Sequence, residues 1–232
     1  MKYLEFNNHL STDFGLGILS VKLGAPTPNL ITEKLPYSNG SFDFSTVVTG
    51  GLMTYSDRII TIEFNYLEKN QNKMYEVFSK ASSWLLSGAK STLKFNYIDG
   101  FYIGRCTQIS NLESFISLGK FTATFTCNPT LTKGVYGDYI WDTFNFIDGI
   151  TKNNRHIVNT GDVINIQIDG IDIIPSIYLN QNISISLNNK DYNLKIGDNK
   201  QFGLIFKNGI NKIFIKTANK AIMDINFKEE TI

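Results

Sequence analysis

The chain has 232 residues, of which 42% are hydrophobic, 13% aromatic and 19% charged, enough apolar material for a packed core and too little charge for a disordered chain. That length admits one large domain or two of ordinary size. The 22 Lys and Arg against 21 Asp and Glu give a net charge of +1, evenly spread over both halves, so tight binding of nucleic acid or an anionic membrane through clustered cations is not expected.

No more than three hydrophobic residues run consecutively, against the roughly 20 that a spanning helix needs, and the first residues lack an apolar signal stretch. Neither a secretory precursor nor an integral membrane protein is expected. Early in the chain, Gly15 and Gly17 lack the third glycine and the strand and helix context of a dinucleotide loop, and read as turn glycines. Residues 24–58 hold Pro26, Pro28 and Pro36, a turn signal at 38–41 and a Gly-Gly pair at 50 and 51. They read as an extended arm or ribbon with two strands, of the kind that carries function or lies on a partner.

Residues 59–66 alternate, with Ile60, Ile62, Phe64 and Tyr66 on one face, and predict a half-buried strand. Met74, Val77, Phe78, Ala81, Trp84 and Leu85 recur at helical spacing, so a helix is expected over 72–87 with Asn70 or Asn72 as its N-cap and Gly88 as its stop. Leu93, Phe95 and Tyr97 then alternate up to Asp99 and Gly100, which predicts a hairpin over 91–109. A longer strand follows, with Phe121, Ala123, Phe125 and Cys127 on one face, and Pro129 ends it.

Composition shifts near residue 130. The first 130 residues hold 19 of 30 aromatics but 9 of 30 isoleucines, so a second domain is expected at 131–232 after a first at 1–130. Its strand signals are short, at 163–168, 176–179, 183–187, 192–196, 203–206, 212–215 and 222–227, separated by turn chemistry at Asn188 and Asn189 and at Asn208 and Gly209. That pattern predicts a β-sandwich.

Catalytic constellations are missing. Cys106 and Cys127 fall in strand patterns and read as buried free thiols. His9 and His156 have no ligand or general-base spacing around them, and Asp162, Asp169 and Asp172 lack the calcium-loop pattern and read as solvated strand ends. No nucleophile elbow or phosphate loop is present. Neither an enzyme nor a cofactor or metal site is expected.

Five segments in order, TyrSerAspArgIleIleThrIleGluPhe at 55–64, TrpLeuLeuSerGlyAlaLys at 84–90, LeuLysPheAsnTyr at 93–97, PheTyrIleGlyArgCys at 101–106 and GlyLysPheThrAlaThrPheThrCysAsnPro at 119–129, resemble the N-terminal domain of the distal tail protein (Dit) family of phages and prophages of Gram-positive hosts. The second half resembles the family's galectin-like sandwich through IleProSerIleTyrLeuAsn at 174–180 and LysAsnGlyIleAsnLysIlePheIle at 207–215. The resemblance implies a mainly β protein: an N-terminal tail-tube-like β-sandwich with one α-helix and a long hairpin, followed by a galectin-like β-sandwich. It also implies a structural role at the virion tail tip, after synthesis in the host cytoplasm. The implied partners are further copies of the chain in a homohexameric ring, the tail tube protein, the tail-associated hub protein and, in some relatives, a receptor-binding protein.

Four residues stand out as candidate contacts. Asp57, Arg58 and Arg105 are interface or structural anchors, because a guanidinium makes several directional hydrogen bonds and serves equally to bridge subunits or to hold the hairpin to its own sheet. Trp141, with Tyr139, Phe144 and Phe146 nearby, forms either a sugar-stacking platform or the packing of the inter-domain linker. The rival function is therefore a carbohydrate-binding module that recognises the host cell wall.

Overall fold

The computed structural model describes residues 2–135 and 155–232. Two compact units emerge, one made of the residues up to Pro28 with Tyr55–Thr132 and Ile232, the other of Asn29–Thr54 with Lys133–Thr231. A single cut near residue 130 therefore does not describe the division, since the tip of the proline-rich arm is grouped with the C-terminal half.

In the N-terminal part, β1 (Leu4–Phe6), β2 (His9–Leu10) and β3 (Gly17–Leu23) precede β4 (Thr32–Glu33) and β5 (Phe42–Asp43), the paired strands of the arm. Then come β6 (Arg58–Leu67), helix α1 (Gln71–Leu86), β7 (Ser91–Phe95), β8 (Tyr102–Ile109), β9 (Glu113–Ser114) and β10 (Leu118–Cys127). The first unit is built on an eight-stranded sheet in the order β2-β1-β7-β8-β10-β6-β3, with β9 on β10. At its centre β6 and β10 pair without a break from Arg58↔Cys127 to Leu67↔Leu118.

Alternation decides which side of this ladder is dry. Ile60, Ile62, Phe64 and Tyr66 of β6 and Phe121, Ala123, Phe125 and Cys127 of β10 are all buried, as the sequence predicts. Each such phenylalanine contributes about 1.5–3 kcal/mol by leaving water. Helix α1 starts at Asn70, whose side-chain carbonyl accepts from the N–H groups of Asn72 and Lys73 at 3.0 and 3.4 Å. It ends where the N–H and hydroxyl of Ser87 both donate to the Trp84 carbonyl. Its buried face carries Met74, Ala81, Trp84 and Leu85. The Trp84 indole donates to the Phe6 carbonyl at 2.9 Å and stacks on Phe14 at 4.6 Å, so the helix is tied to the N-terminal strands by direction as well as by area. Phe6 of β1 also meets Phe125 of β10 edge-on at 5.1 Å. β7 and β8 separate those strands in the sheet, and neighbouring strands lie about 4.8 Å apart; the sheet must fold over its own core, and the expected sandwich is one continuous sheet.

The hairpin expected over 91–109 forms, with a wider connection than a tight Asp-Gly turn. Its register runs from Ser91↔Gly104 to Leu93↔Tyr102. Phe101 instead exchanges backbone hydrogen bonds with Thr132, at 2.9 and 3.0 Å. Tyr97, placed by alternation on the buried face, lies beyond the strand and is exposed.

After β11 (Leu131–Val135) the described chain resumes at β12 (Arg155–Val158) and continues through β13 (Val163–Ile168), β14 (Ser176–Leu179), β15 (Ile183–Leu187), β16 (Lys190–Leu194), β17 (Gly197–Asn199), β18 (Gly209–Lys216), β19 (Ala221–Asn226) and β20 (Lys228–Thr231). Two four-stranded sheets, β12-β19-β14-β17 and β13-β18-β15-β16, share one aliphatic core, to which Ile177, Met223, Ile225, Ile166, Ile185 and Ile213 belong. This is a β-sandwich. Asn188 and Asn189 both adopt positive φ, 51° and 60°, in the two-residue turn that joins β15 to β16, where asparagine tolerates the left-handed conformation. The segment at 203–206 is no strand. Leu204, Ile205 and Phe206 are buried consecutively, and only a bridge from Phe206 to Ile173 pairs there.

Two loops of the sandwich use the same device, spelled Lys-x-Gly-x-Asn at 195–199 and 207–211. Asn199 accepts from the Lys195 N–H at 3.0 Å and donates to the Lys195 carbonyl at 2.7 Å. Asn211 does the same with Lys207, at 2.8 and 2.7 Å. The intervening Gly197 and Gly209 have φ of 93° and 97°, a conformation that favours glycine. Both asparagines are buried, so their removal strands backbone groups away from water. Asn211→Ala and Asn199→Ala should each lower unfolding free energy by about 2–3 kcal/mol in urea titrations, whereas exposed Lys212→Ala should change it by less than about 0.5 kcal/mol. Silent asparagine variants would show that the loops are held by something else.

Candidate assembly surface

The arm leaves the central sheet where Gly24 donates to the Ile59 carbonyl at 2.8 Å. A Cβ on Gly24 would meet that oxygen at 2.7 Å, so only glycine lets the two segments come so close. The hydroxyl of Thr27 meets that of Ser56 at 2.8 Å, and Pro28 bridges Tyr55. Within the second unit's residues, Asn29 donates to the Thr54 carbonyl at 2.9 Å, Phe44 to the Ile31 carbonyl at 2.8 Å, and β4 pairs with β5. Asp43 caps the return strand by accepting from the Ser45 N–H at 2.8 Å, and hydrogen bonds from Ser45 hold its carboxyl below the usual range. Gly50, at φ 72°, sits so close to Phe202 that a Cβ would fall 2.8 Å from its ring.

What this ribbon presents to water is unusual. Leu30, Ile31, Tyr37, Phe42, Val47 and Val48 are all exposed, Val48 at 81%. A two-stranded ribbon buries too little of itself to be stable alone, and contiguous apolar exposure marks interaction surface. A second apolar point lies at the tip of the connection from β8 to β10. There Phe115 is exposed and Ile116 is 92% exposed, just before β10 begins. The sequence reading missed this tip, although an apolar pair between Ser114 and Ser117 was a visible signal.

The candidate anchors separate. Arg58 is buried at the start of β6. One of its guanidinium nitrogens donates to the Tyr102 hydroxyl at 3.0 Å, and the group lies 5.2 Å from that ring's centre. It therefore holds β8 to β6 across β10, inside the subunit. Neighbouring Asp57 lies 4.0 Å from the Lys90 ammonium, which also donates to Asn128 at 2.8 Å; both groups are partly exposed, so the pair adds little. Arg105 is exposed on β8 and paired in register with Thr126. With Asp57, which is also exposed, it is a member of the set open to a partner. Trp141, with Tyr139, Phe144 and Phe146, lies outside the described residues.

Among the described residues, the three candidate aspartates sit apart in separate local roles. Asp162, Asp169 and Asp172 accept from the Asn159 N–H, the Gln167 amide and the Asn208 N–H respectively, which makes them local turn and strand-end supports. Among the described residues no three of His, Cys, Asp and Glu are placed to hold a metal ion, and no helix is long and apolar enough to cross a membrane. Cys106 and Cys127 are free and buried. Burial pushes their thiols up to about 11 and about 12, against the pull of Arg58 on Cys127, and raises Tyr66 to about 12.

No protein-family model and no curated protein sequence matches the chain. Among solved structures, the SPP1 Dit (gp 19.1) protein, described as a paradigm of the hub adsorption apparatus in phages infecting Gram-positive bacteria, superposes with a TM-score of 0.66 at 11% identity over all of both chains. The chain has the fold of that protein. Chains of the phage P2 baseplate in its activated conformation, with Ca and with Sr, cover the full length at 8% and 9% identity with TM-scores of 0.44 and 0.43, too low to add to the assignment.

Two measurements follow from the anchors and the buried thiols. Arg58→Ala should destabilise the first unit by about 1–3 kcal/mol through the lost bond to Tyr102, while Arg105→Ala should leave stability within about 0.5 kcal/mol; denaturant midpoints decide. Cys106, Cys127 and Tyr66 bind their protons more tightly when folded than when unfolded. Their contribution is therefore complete below about pH 9 and is lost as pH climbs towards about 12. Neither cysteine should react with a thiol reagent at neutral pH until the chain unfolds, and rapid native labelling would contradict that environment.

Proposed function

We propose that the chain is a structural, non-enzymatic distal tail protein of a phage or prophage. In this reading copies close into a hexameric ring at the tail tip that joins the tail tube to the tail-associated hub protein. Likeness to the SPP1 Dit fold supports it, and the observation that carries it is the pair of unlike apolar projections, the ribbon and the Phe115–Ile116 tip. They arise near different ends of the β6–β10 ladder, about 30 Å long at strand spacing: the ribbon leaves beside Arg58 and the tip precedes Leu118. A head-to-tail ring needs two different complementary patches on each subunit rather than one self-complementary patch. Balanced charge suits a channel through which DNA slides without being held. Exposed Arg105 is a candidate contact along the ring, and in this reading the C-terminal sandwich within 131–232 is the galectin-like domain.

Light scattering on the purified chain should find a species of about six times the 26.2 kDa chain mass, in exchange with monomer. Val48→Asp and Ile116→Asp should shift it to monomer without lowering the unfolding midpoint, because both side chains are exposed in the subunit. Retention of the large species by both variants would place the interface elsewhere. A chain that stays monomeric alone should assemble when the hub protein is added, and failure there too would contradict the ring. In a genome, a tape-measure gene upstream and a hub gene downstream are the expected neighbours.

A further inference from the structure

A concavity of about 620 Å³ opens on the sandwich where β15, β16 and β18 end, a volume suited to a small ligand. Register places Lys216, Ser184 and Asn193 side by side on β18, β15 and β16. Asn182 and Lys195, each two residues on toward the same end, fall on the same face by alternation. These five line the concavity with Thr160, and no carboxylate is among the described residues that line it.

Hydrogen bonds decide which polar atoms are left to face outward. The Asn182 side-chain carbonyl accepts from the Ile196 N–H at 2.8 Å, and that of Asn193 accepts from the Ser184 hydroxyl at 2.6 Å. Each amide keeps both N–H donors for another partner. The Thr160 hydroxyl donates to the Thr217 carbonyl, and the Thr217 hydroxyl to the Asn219 carbonyl at 2.7 Å, so these protons are spent, like that of Ser184. Two amide groups and two ammonium groups remain to donate. Lys195 has no ion pair among the described residues, and Lys216 shares its charge with exposed Asp191, 3.1 Å away and outside the lining.

We infer that this concavity binds a phosphate-type oxyanion, with the ammonium groups of Lys195 and Lys216 and the amides of Asn182 and Asn193 donating to its oxygens. The chemistry selects the ligand. Donors that carry positive charge, with no carboxylate among them, call for an acceptor that is negative. A neutral sugar has hydroxyls to donate as well as to accept, and a metal ion needs oxygen ligands that this lining spends elsewhere. Nucleic acid takes a longer run of cations than these two. Both amides are already oriented, so binding does not have to order them. The site stands on the sandwich alone and is independent of ring assembly.

The test uses the full chain. Inorganic phosphate is titrated in at neutral pH, and the side-chain amide resonances of Asn182 and Asn193 are followed by NMR against sodium chloride of equal ionic strength. Saturable shifts with a Kd of about 1 mM are expected. Lys195→Gln should weaken binding at least about tenfold, and so should Asn182→Asp, which keeps the acceptor for the Ile196 N–H. Asp191→Asn frees Lys216 and should tighten binding about threefold. Lys212→Gln, on the same sheet but outside the concavity, should change nothing. Urea midpoints verify folding; if Asn182→Asp is unfolded, Lys195→Gln and Asp191→Asn carry the reading. Dimethyl phosphate bound as tightly as inorganic phosphate would make the ligand a phosphodiester, and weaker binding would make it a free phosphate or a monoester. Absence of saturation at about 20 mM phosphate, equal shifts with chloride, binding undiminished by Lys195→Gln, or weaker binding in Asp191→Asn overturns the site.

Discussion

The unbroken pairing of β6 with β10 is the interaction on which the first unit depends. One side of that ladder supplies Ile60, Ile62, Phe64, Phe121 and Phe125 to the core, and Phe78 of the helix meets Phe121 edge-on at 5.3 Å. Strand β3 adds to the free edge of β6 and β8 to that of β10, so the sheet grows outward from this pair. Arg58, at its beginning, reaches Tyr102 on β8 and fixes how the third strand lies. The buried charge is held by that hydrogen bond and by the face of the Tyr102 ring, which makes the residue a structural pin.

The two units reach stability by different means. Aromatic packing dominates the first, where rings meet in oriented pairs and Trp84 spends its N–H on the Phe6 carbonyl. The second relies on isoleucines from two small sheets and on buried asparagines that replace missing strand hydrogen bonds in tight loops. Against that economy, the exposed ribbon is the exception. Its prolines and glycines shape an arm, but its side chains are those of a core. Leucine, tyrosine and valine kept in water along such an arm mark it as an interaction surface.

Long elements were legible in the sequence because period needs length to show itself. The alternation of β6 and β10 and the helical spacing from Met74 to Leu85 each span enough residues to exclude the other period. Strands such as β12, β17 and β20 have three or four residues, too few for a period, and their pairing partners define them. Leu204, Ile205 and Phe206 were read as a strand because three apolar residues in a row fit one; Leu204 and Phe206 enter the sandwich core while Ile205 faces Gly51 of the arm, without a ladder. Tyr97 continued a true alternation two residues past Phe95, where β7 ends. The Lys-x-Gly-x-Asn repeat was visible as text, yet its meaning lay in hydrogen bonds that only the folded loop displays. Of the candidate anchors, residue type marked Arg58 and Arg105 equally, and burial alone separates a pin from an open contact. The ribbon's outline was readable from Pro26, Pro28 and Pro36, whereas its grouping with the second unit depends on the close approach of Gly50 to Phe202.

The central claim is that the ribbon's apolar side chains are covered in the assembled particle. Hydroxyl-radical footprinting of tail tips, compared with the isolated chain, tests it most directly. Leu30, Tyr37, Phe42 and Val48 should be oxidised readily in the free chain and strongly protected in the tail, while exposed Tyr178 on the sandwich labels alike in both. Equal oxidation of the ribbon in the two states would mean that it stays in water, and the assembly account would be wrong.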